Sequence, residues 1–128
     1  MSKASEMLDP LPVPAFLFDA QKQKFIASNL SFQILLRYSE EELVKIDWKK
    51  IVAPDEIAMG ERAIESGSMP RPVRWHMKRK DGEVIELVIA TRRIKFTDDD
   101  GNTGDVFLAL IVDRGDLPIP ASAAFPES

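Results

Sequence analysis

The 128-residue chain contains no cysteine and a single histidine, His76. Without cysteine it can form neither a disulfide nor a thiolate metal site, and it has no cysteine nucleophile. A transition-metal site draws several ligands from histidine and cysteine, so one histidine lacks the companions that such a site needs. We therefore expect no metal site.

Long apolar stretches and excess positive charge are also missing. No apolar run reaches the roughly 18 residues of a membrane span, and the N-terminus lacks the basic-then-apolar layout of a secretory signal. The formal net charge of −4 argues against a generic nucleic-acid binder. We expect a cytoplasmic protein with neither a membrane nor a nucleic acid as partner.

The residues that are present predict one α+β domain over residues 13–113. Hydrophobic residues make up 45% of the chain and charged residues 30%, which is typical of a globular domain. Residues 1–12 are expected to form an N-terminal cap segment, and residues 114–128 a proline-rich tail that is extended or disordered. Three short helices begin near Asn29, at the Ser39/Glu42 capping box and at Pro54. The predicted strands are Ala15–Phe18, Phe25–Ser28, Val73–Arg79, Glu83–Arg92 and Val106–Asp113.

The hairpin around Gly82 fixes which side chains share a face. A two-residue Asp-Gly loop would mix apolar and charged residues on both faces, a poor register for a sheet with one buried face. A three-residue loop with Gly82 left-handed pairs Arg79 with Glu83 and separates the faces. His76 then lies across from Glu86 on the face away from the helices, which predicts a partly solvated structural role. The other face carries Val73, Trp75, Met77, Ile85, Leu87 and Ile89.

Five stretches between Leu11 and Asp113 resemble a PAS domain, the sensory module of many bacterial signalling proteins. They are "PVPAFLFDA", "NLSFQILLRYSEEEL", "IVAPDE", "RKDGEVIEL" and "ALIVD". The second is similar to the family's helical signature at Asn29, Phe32, Leu35 or Leu36, Tyr38, Ser39, Glu41, Glu42 and Leu43.

The chain also departs from this pattern. Arg37 replaces a usual glycine, Ala53 a usual histidine, and Arg114 begins a proline-rich tail where the family leads into an output helix. These departures leave open whether the chain is a fragment or a module that works in trans.

The resemblance implies a five-stranded antiparallel sheet with short helices packed on one face, and ligands held between the helices and the inner face of the sheet. The candidate ligand-binding residues are Phe16, Phe18, Phe32, Ile64, Trp75, Met77, Ile85, Leu87, Ile89, Phe107 and Ile111. Val73 and Ala109 are expected on the same face. A small apolar ligand would suit this set, and a completely filled core is the alternative.

Cofactors of the family can be compared with the residues present. Its flavin and yellow photoreceptors form adducts with a cysteine, which this chain lacks. Its haem-binding members use a histidine on the helix that here spans Asp55–Glu65, and no histidine is found there. A covalent flavin adduct and haem are therefore not expected; non-covalent flavin binding stays open, and the cofactor is unknown.

The outer face of the sheet is expected to be apolar as well, and something must cover it. A second copy of the chain, the segment Met7–Leu11 or a neighbouring domain could do so, and we favour a homodimer. The predicted interface residues are Ala15, Leu17, Val88, Leu108, Leu110 and Val112.

Three classes of function follow. The first is a sensory module that binds a small ligand or a partner protein and relays a change through its sheet, as the input domain of a histidine kinase or another regulator. The second is a dimerisation or docking module without a ligand. An enzyme is not expected, because we place no carboxylate, histidine or lysine on the inner face, apart from Asp19 at its edge.

Overall fold

A computed structural model of the protein describes residues 3–67, 69 and 72–114. The predicted tail lies outside these residues, except for Arg114. The helices are α1 (Lys3–Leu8), α2 (Leu30–Leu36), α3 (Glu40–Lys45) and α4 (Ile57–Ser66), with 3-10 turns at Trp48–Lys50 and Pro54–Glu56. The strands are β1 (Ala15–Asp19), β2 (Lys24–Ser28), β3 (Val73–Lys78), β4 (Val84–Thr97) and β5 (Thr103–Arg114).

The five strands form one antiparallel sheet in the order β2-β1-β5-β4-β3. The predicted α+β architecture is confirmed. The hairpin register is confirmed too: Trp75 lies opposite Leu87 and His76 opposite Glu86, while Gly82 has a φ of +94°. The structure therefore has the three-residue loop rather than the two-residue one, because the longer loop turns the apolar side chains of both strands toward one side.

The largest differences from the predicted boundaries lie in β4, β5 and the third predicted helix. The strand predicted to end at Arg92 continues to Thr97, and its partner begins at Thr103 rather than Val106. Ile94 and Phe96 alternate here with Arg93, Lys95 and Thr97, so the apolar alternation continues past the predicted end, and cross-strand pairing extends the ladder with it. The third helix is divided, since Pro54–Glu56 form a 3-10 turn before α4 begins.

Local hydrogen bonds explain where α2 and α3 begin and end. The Asn29 side chain caps α2, and Ser39 and Glu42 exchange both bonds of the predicted capping box. Arg37 takes the left-handed conformation (φ 64°) that ends α2, and its guanidinium lies 3.2 Å from the Asp81 carboxylate. The residue that replaces the family's glycine thus adopts the turn itself.

The outer edge of β3 is covered by the segment from Ile51 to Glu56. The Ala53 N–H donates to the His76 carbonyl at 2.9 Å, and the Lys78 N–H donates to the Ile51 carbonyl at 2.7 Å. One carboxylate oxygen of Glu56 accepts from the His76 N–H at 2.7 Å. These bonds satisfy backbone groups that an edge strand would leave unpaired.

Asn29 joins three elements at the far side of the sheet. Its Oδ1 accepts from the Ala15 and Phe32 N–H groups, each at 3.0 Å, and its Nδ2 donates to the carbonyls of Leu8 and Val13 at 3.2 and 2.9 Å. The side chain is only 1% exposed. The end of α1, the start of β1 and the start of α2 are therefore held by one amide.

Two apolar clusters lie on opposite faces of the sheet. The larger lies between the inner face and α2–α4 and includes Phe32, Leu43, Trp48, Trp75 and Leu87. The smaller lies on the outer face, where Ala4 and Leu8 of α1 pack with the outward side chains of β1, β2 and β5. No helix among the described residues is long and apolar enough to cross a membrane.

Candidate functional site: an apolar chamber

A chamber of about 90 Å³ lies between the inner sheet face and α4. Thr91 is the only lining residue with a side-chain hydroxyl, and none carries an acid or a base. The lining residues are Phe16, Phe18, Phe25, Trp48, Val52, Gly60, Ala63, Ile64, Met69, Trp75, Met77, Ile89, Thr91, Phe107 and Ala109. Sites for drug-sized ligands measure roughly 300–1,000 Å³, so this chamber suits only a much smaller apolar group.

Two tryptophans and a glycine shape the chamber where α4 approaches the sheet. A Cβ placed on Gly60 would lie 2.7 and 2.8 Å from Cζ3 and Cη2 of Trp48, and 3.4 Å from Cη2 of Trp75. Glycine therefore lets α4 approach both indole rings. The Trp48 Nε1 donates to Gln23 Oε1 at 3.2 Å, which fixes the orientation of that ring.

Phenylalanines form the opposite wall. Phe25 meets Phe16 and Phe18 edge-on, with ring centroids 5.0 and 5.4 Å apart, and Phe18 meets Trp48 at 6.3 Å and 86°. Edge-to-face pairs of this kind add to the stability that burial alone provides. The phenylalanines of this wall therefore support one another and the Trp48 ring.

Seven of the eleven candidate ligand-binding residues line the chamber: Phe16, Phe18, Ile64, Trp75, Met77, Ile89 and Phe107. The other four, Phe32, Ile85, Leu87 and Ile111, belong to the same apolar cluster but lie away from the space. The core is mostly filled and leaves a small chamber. The candidate residues omitted Phe25 of β2 and five residues from the helical segments and their connections, whose approach depends on tertiary packing: Trp48, Val52, Gly60, Ala63 and Met69. Thr91 could have been found, since it continues the alternation of Leu87 and Ile89.

The inner face is not wholly apolar. Beyond Thr91 the alternation brings Arg93 and Lys95 to this face, where Lys95 lies opposite Asp105. The Lys95 Nζ lies 2.9 Å from the Asp105 carboxylate, and this hydrogen bond is the main reason that the Asp105 pKa is lowered. The expectation of no lysine or carboxylate on this face was wrong, because it rested on strands that ended too early.

His76 has one partner that was predicted and one that was not. Its Nε2 lies 3.5 Å from the Glu86 carboxylate across the hairpin, and its Nδ1 lies 2.5 Å from Glu56 Oε2. The ring therefore links the sheet to the turn that precedes α4. Among the described residues, no cluster of three or more His, Asp or Glu is arranged to hold a metal ion.

The six predicted interface residues divide into two groups. Ala15 and Leu17 are completely buried under α1, so the chain itself covers that part of the face. Val88, Leu108 and Leu110 are half-buried, and Val112 is 51% exposed. Leu30 and Ile34, one turn apart on α2, are also exposed, at 62% and 67%.

Comparison with known proteins reveals shared architecture at low sequence identity. A PAS domain from Desulfitobacterium hafniense matches with a TM-score of 0.67 and 16% identity, over 82% of this chain and 95% of that chain. A PAS domain from a two-component sensor histidine kinase matches with a TM-score of 0.66 and 12% identity, over 88% of this chain and 93% of that chain.

A light-oxygen-voltage (LOV) domain from a blue-light-activated histidine kinase of Erythrobacter litoralis matches with a TM-score of 0.60 and 17% identity, over 80% of this chain and 97% of that chain. No family model and no curated protein matches the sequence. The likeness to these three structures shows that the present chain has the fold of a PAS domain.

Proposed function

We propose that this chain is a sensory signalling module whose chamber admits a small apolar ligand, and that it has no catalytic activity of its own. The observation that carries the proposal is the chamber itself, an apolar space of about 90 Å³ beside an otherwise filled core. An apolar cavity on the order of 150 Å³ holds benzene, so a single ring would enter this smaller chamber only by moving its walls apart. Haem and flavin are larger than a single ring.

The proposed relay passes through the sheet. Phe107 and Ala109 line the chamber from β5, and Leu108 and Leu110 of the same strand point to the outer face. A ligand can shift the equilibrium between two states only by its differential affinity for them. Two states that differ in the packing of β5 would have different affinities for the ligand. The shift between them would then reach whatever contacts the outer face of the sheet.

A matched pair of variants on α4 tests ligand binding. Ala63 lines the chamber and Ala58 is exposed on the same helix, so Ala63→Leu should fill the space and Ala58→Leu should not. Titration with toluene, followed by calorimetry and by the fluorescence of Trp48 and Trp75, should show binding to the wild type and to Ala58→Leu only. Equal binding to both variants would place the ligand elsewhere.

We further propose that the module forms a homodimer through the uncovered part of its outer face and reports to an effector, such as a histidine kinase. The exposure of Val112 and the half-burial of Leu110 and Val88 support this surface. Sedimentation of Val112→Asp should shift toward monomer. The control Ile34→Asp changes a more exposed apolar residue on α2 and should sediment like the wild type.

A docking module without a ligand is the second candidate, and the exposed pair Leu30 and Ile34 favours it. If toluene fails to bind while the wild type sediments as a dimer that Val112→Asp disrupts, docking is the better description.

A further inference from the structure

The inner face of β4 changes from apolar to basic at one end of the chamber. Ile89 and Thr91 line the chamber, and Arg93 is the next residue on the same face. Arg93 pairs across the sheet with Phe107, which, like Ile64, lines both the chamber and an adjoining polar groove. Arg93 is therefore the first charged group on β4 that a molecule extending from the chamber would meet.

Two cations at this end share a single carboxylate. Lys95 lies 2.9 Å from Asp105, whereas the Arg93 Nε lies 4.0 Å from it. Since Lys95 already holds Asp105, and lowers the pKa of that carboxyl through a hydrogen bond, the local sum of the three charges is +1. The Arg93 side chain is 57% exposed, so its guanidinium is open to another anion.

The other carboxylates of the groove give Arg93 no second ion-pair partner among the described residues. Asp19 accepts hydrogen bonds from two backbone N–H groups of its own turn. Asp98 and Asp99 lie five and six residues beyond Arg93, which is about 16 Å or more along an extended strand. Glu65 lines the groove from α4 and is exposed, and among the described residues only Asp105 forms an ion pair with Arg93.

The guanidinium also reaches across to the helical layer. A Cβ on Gly67, which ends α4 with a φ of +69°, would lie 2.8 Å from Arg93 Nη1. The missing side chain gives Arg93 room to cross from the sheet to the end of α4. Arg93 thus lies at the border between the chamber and water, where the apolar part of a bound molecule would end and its charged group would begin.

We propose that the chamber binds an amphipathic carboxylic acid, with one apolar ring inside and its carboxylate on Arg93; this inference rests on the proposed ligand-binding function. A guanidinium matches a carboxylate with two parallel N–H bonds, which a lysine cannot do. Arg93 lies two residues, about 7 Å, beyond Thr91 along the strand. A spacer of two or three carbons between ring and carboxylate spans that distance.

Calorimetry with 3-phenylpropanoate and its neutral amide, 3-phenylpropanamide, tests the inference. The wild type should bind the acid about tenfold more tightly than the amide, as expected for a charge-assisted hydrogen bond. Arg93→Gln should bring the acid down to the affinity of the amide, and Arg93→Lys should retain part of the preference. Arg92→Gln removes the neighbouring cation, which lies on the outer face, and should change neither affinity. Raising the salt concentration should weaken only the acid's binding to the wild type.

The outcomes separate this inference from the proposed function. If toluene and the amide bind but the acid binds no more tightly, or if Arg93→Gln leaves the preference unchanged, the carboxylate site is wrong and the apolar chamber stands. If toluene, the acid and the amide all fail to bind the wild type, the ligand-binding function falls together with the inference. Should Arg93→Gln fail to fold, the salt dependence of the wild type still decides between the two outcomes, because only a charged contact weakens with salt.

Discussion

Gly60 is the position where packing and helix propensity oppose each other most directly. Alanine in place of glycine inside a helix stabilises a protein by about 1 kcal/mol. Here the added Cβ would lie 2.7 Å from a Trp48 ring atom, well inside van der Waals contact. Trp48 is only 5% exposed, lies edge-on to Phe18 and donates to Gln23, so it cannot move without disturbing these contacts.

Overpacking of this kind costs about 1–3 kcal/mol. We therefore expect Gly60→Ala to destabilise the wild type by about 1 kcal/mol, the difference between the two effects. Phenylalanine at position 48 ends short of the two atoms that the new Cβ would meet. In the Trp48→Phe background the same substitution should stabilise by about 1 kcal/mol, which gives a coupling energy of about 2 kcal/mol.

Denaturant unfolding of the four proteins, followed by circular dichroism with unchanged m-values, measures this cycle. Ala58→Gly serves as the control, because Ala58 is exposed on α4 and its replacement should cost about 1 kcal/mol in both backgrounds. A Gly60→Ala variant that stabilises the wild type as much as the Trp48→Phe protein would refute the close contact between α4 and the indole ring.

Three further changes test other contacts. Asn29→Ala removes the partner of four backbone groups, three of them in buried hydrogen bonds, and should lower the free energy of unfolding by about 2–4 kcal/mol, whereas Asn102→Ala in an exposed turn should change it by less than about 0.5 kcal/mol. Glu56→Ala removes the carboxylate that holds the edge of β3 and should cost about 1–3 kcal/mol, against almost nothing for exposed Asp55→Ala, by the same denaturant assay. The pKa of Glu42 is lowered below its ordinary 4.5, first by a hydrogen bond from Lys80. The stability that the charged carboxylate contributes is therefore present above pH 4.5 and is lost as the pH falls through the lowered pKa. Glu42→Gln should accordingly flatten the decline of Tm on acidification.

Local chemistry explains what could be predicted from the sequence. The loop at Gly82, the box formed by Ser39 and Glu42, and the cap at Asn29 each depend on residues within a few positions of one another. Their outcome is therefore independent of the rest of the fold. The hairpin register followed because a slip of one residue would have turned Trp75 toward water.

What could not be predicted depends on contacts between distant segments. No sequence motif around Gly60 indicates its role, which appears only when Trp48 is packed against α4. Glu56 lies 20 residues from His76 in the chain, so no spacing rule connects them. Arg93 belongs to a cluster of basic residues that the sequence predicts as a solvated surface, and its place beside the chamber was not predicted because the strand was expected to end at Arg92.

The segment from Ile51 to Glu56, which covers the edge of β3, restricts the addition of further strands to this sheet. An incoming strand that pairs with the outer side of β3 must first displace Ile51–Ala53, whose backbone occupies those hydrogen-bonding positions. Val52 in the same segment lines the chamber, so its displacement would open the chamber to water. Extension of the sheet at β3 and an intact chamber therefore exclude each other.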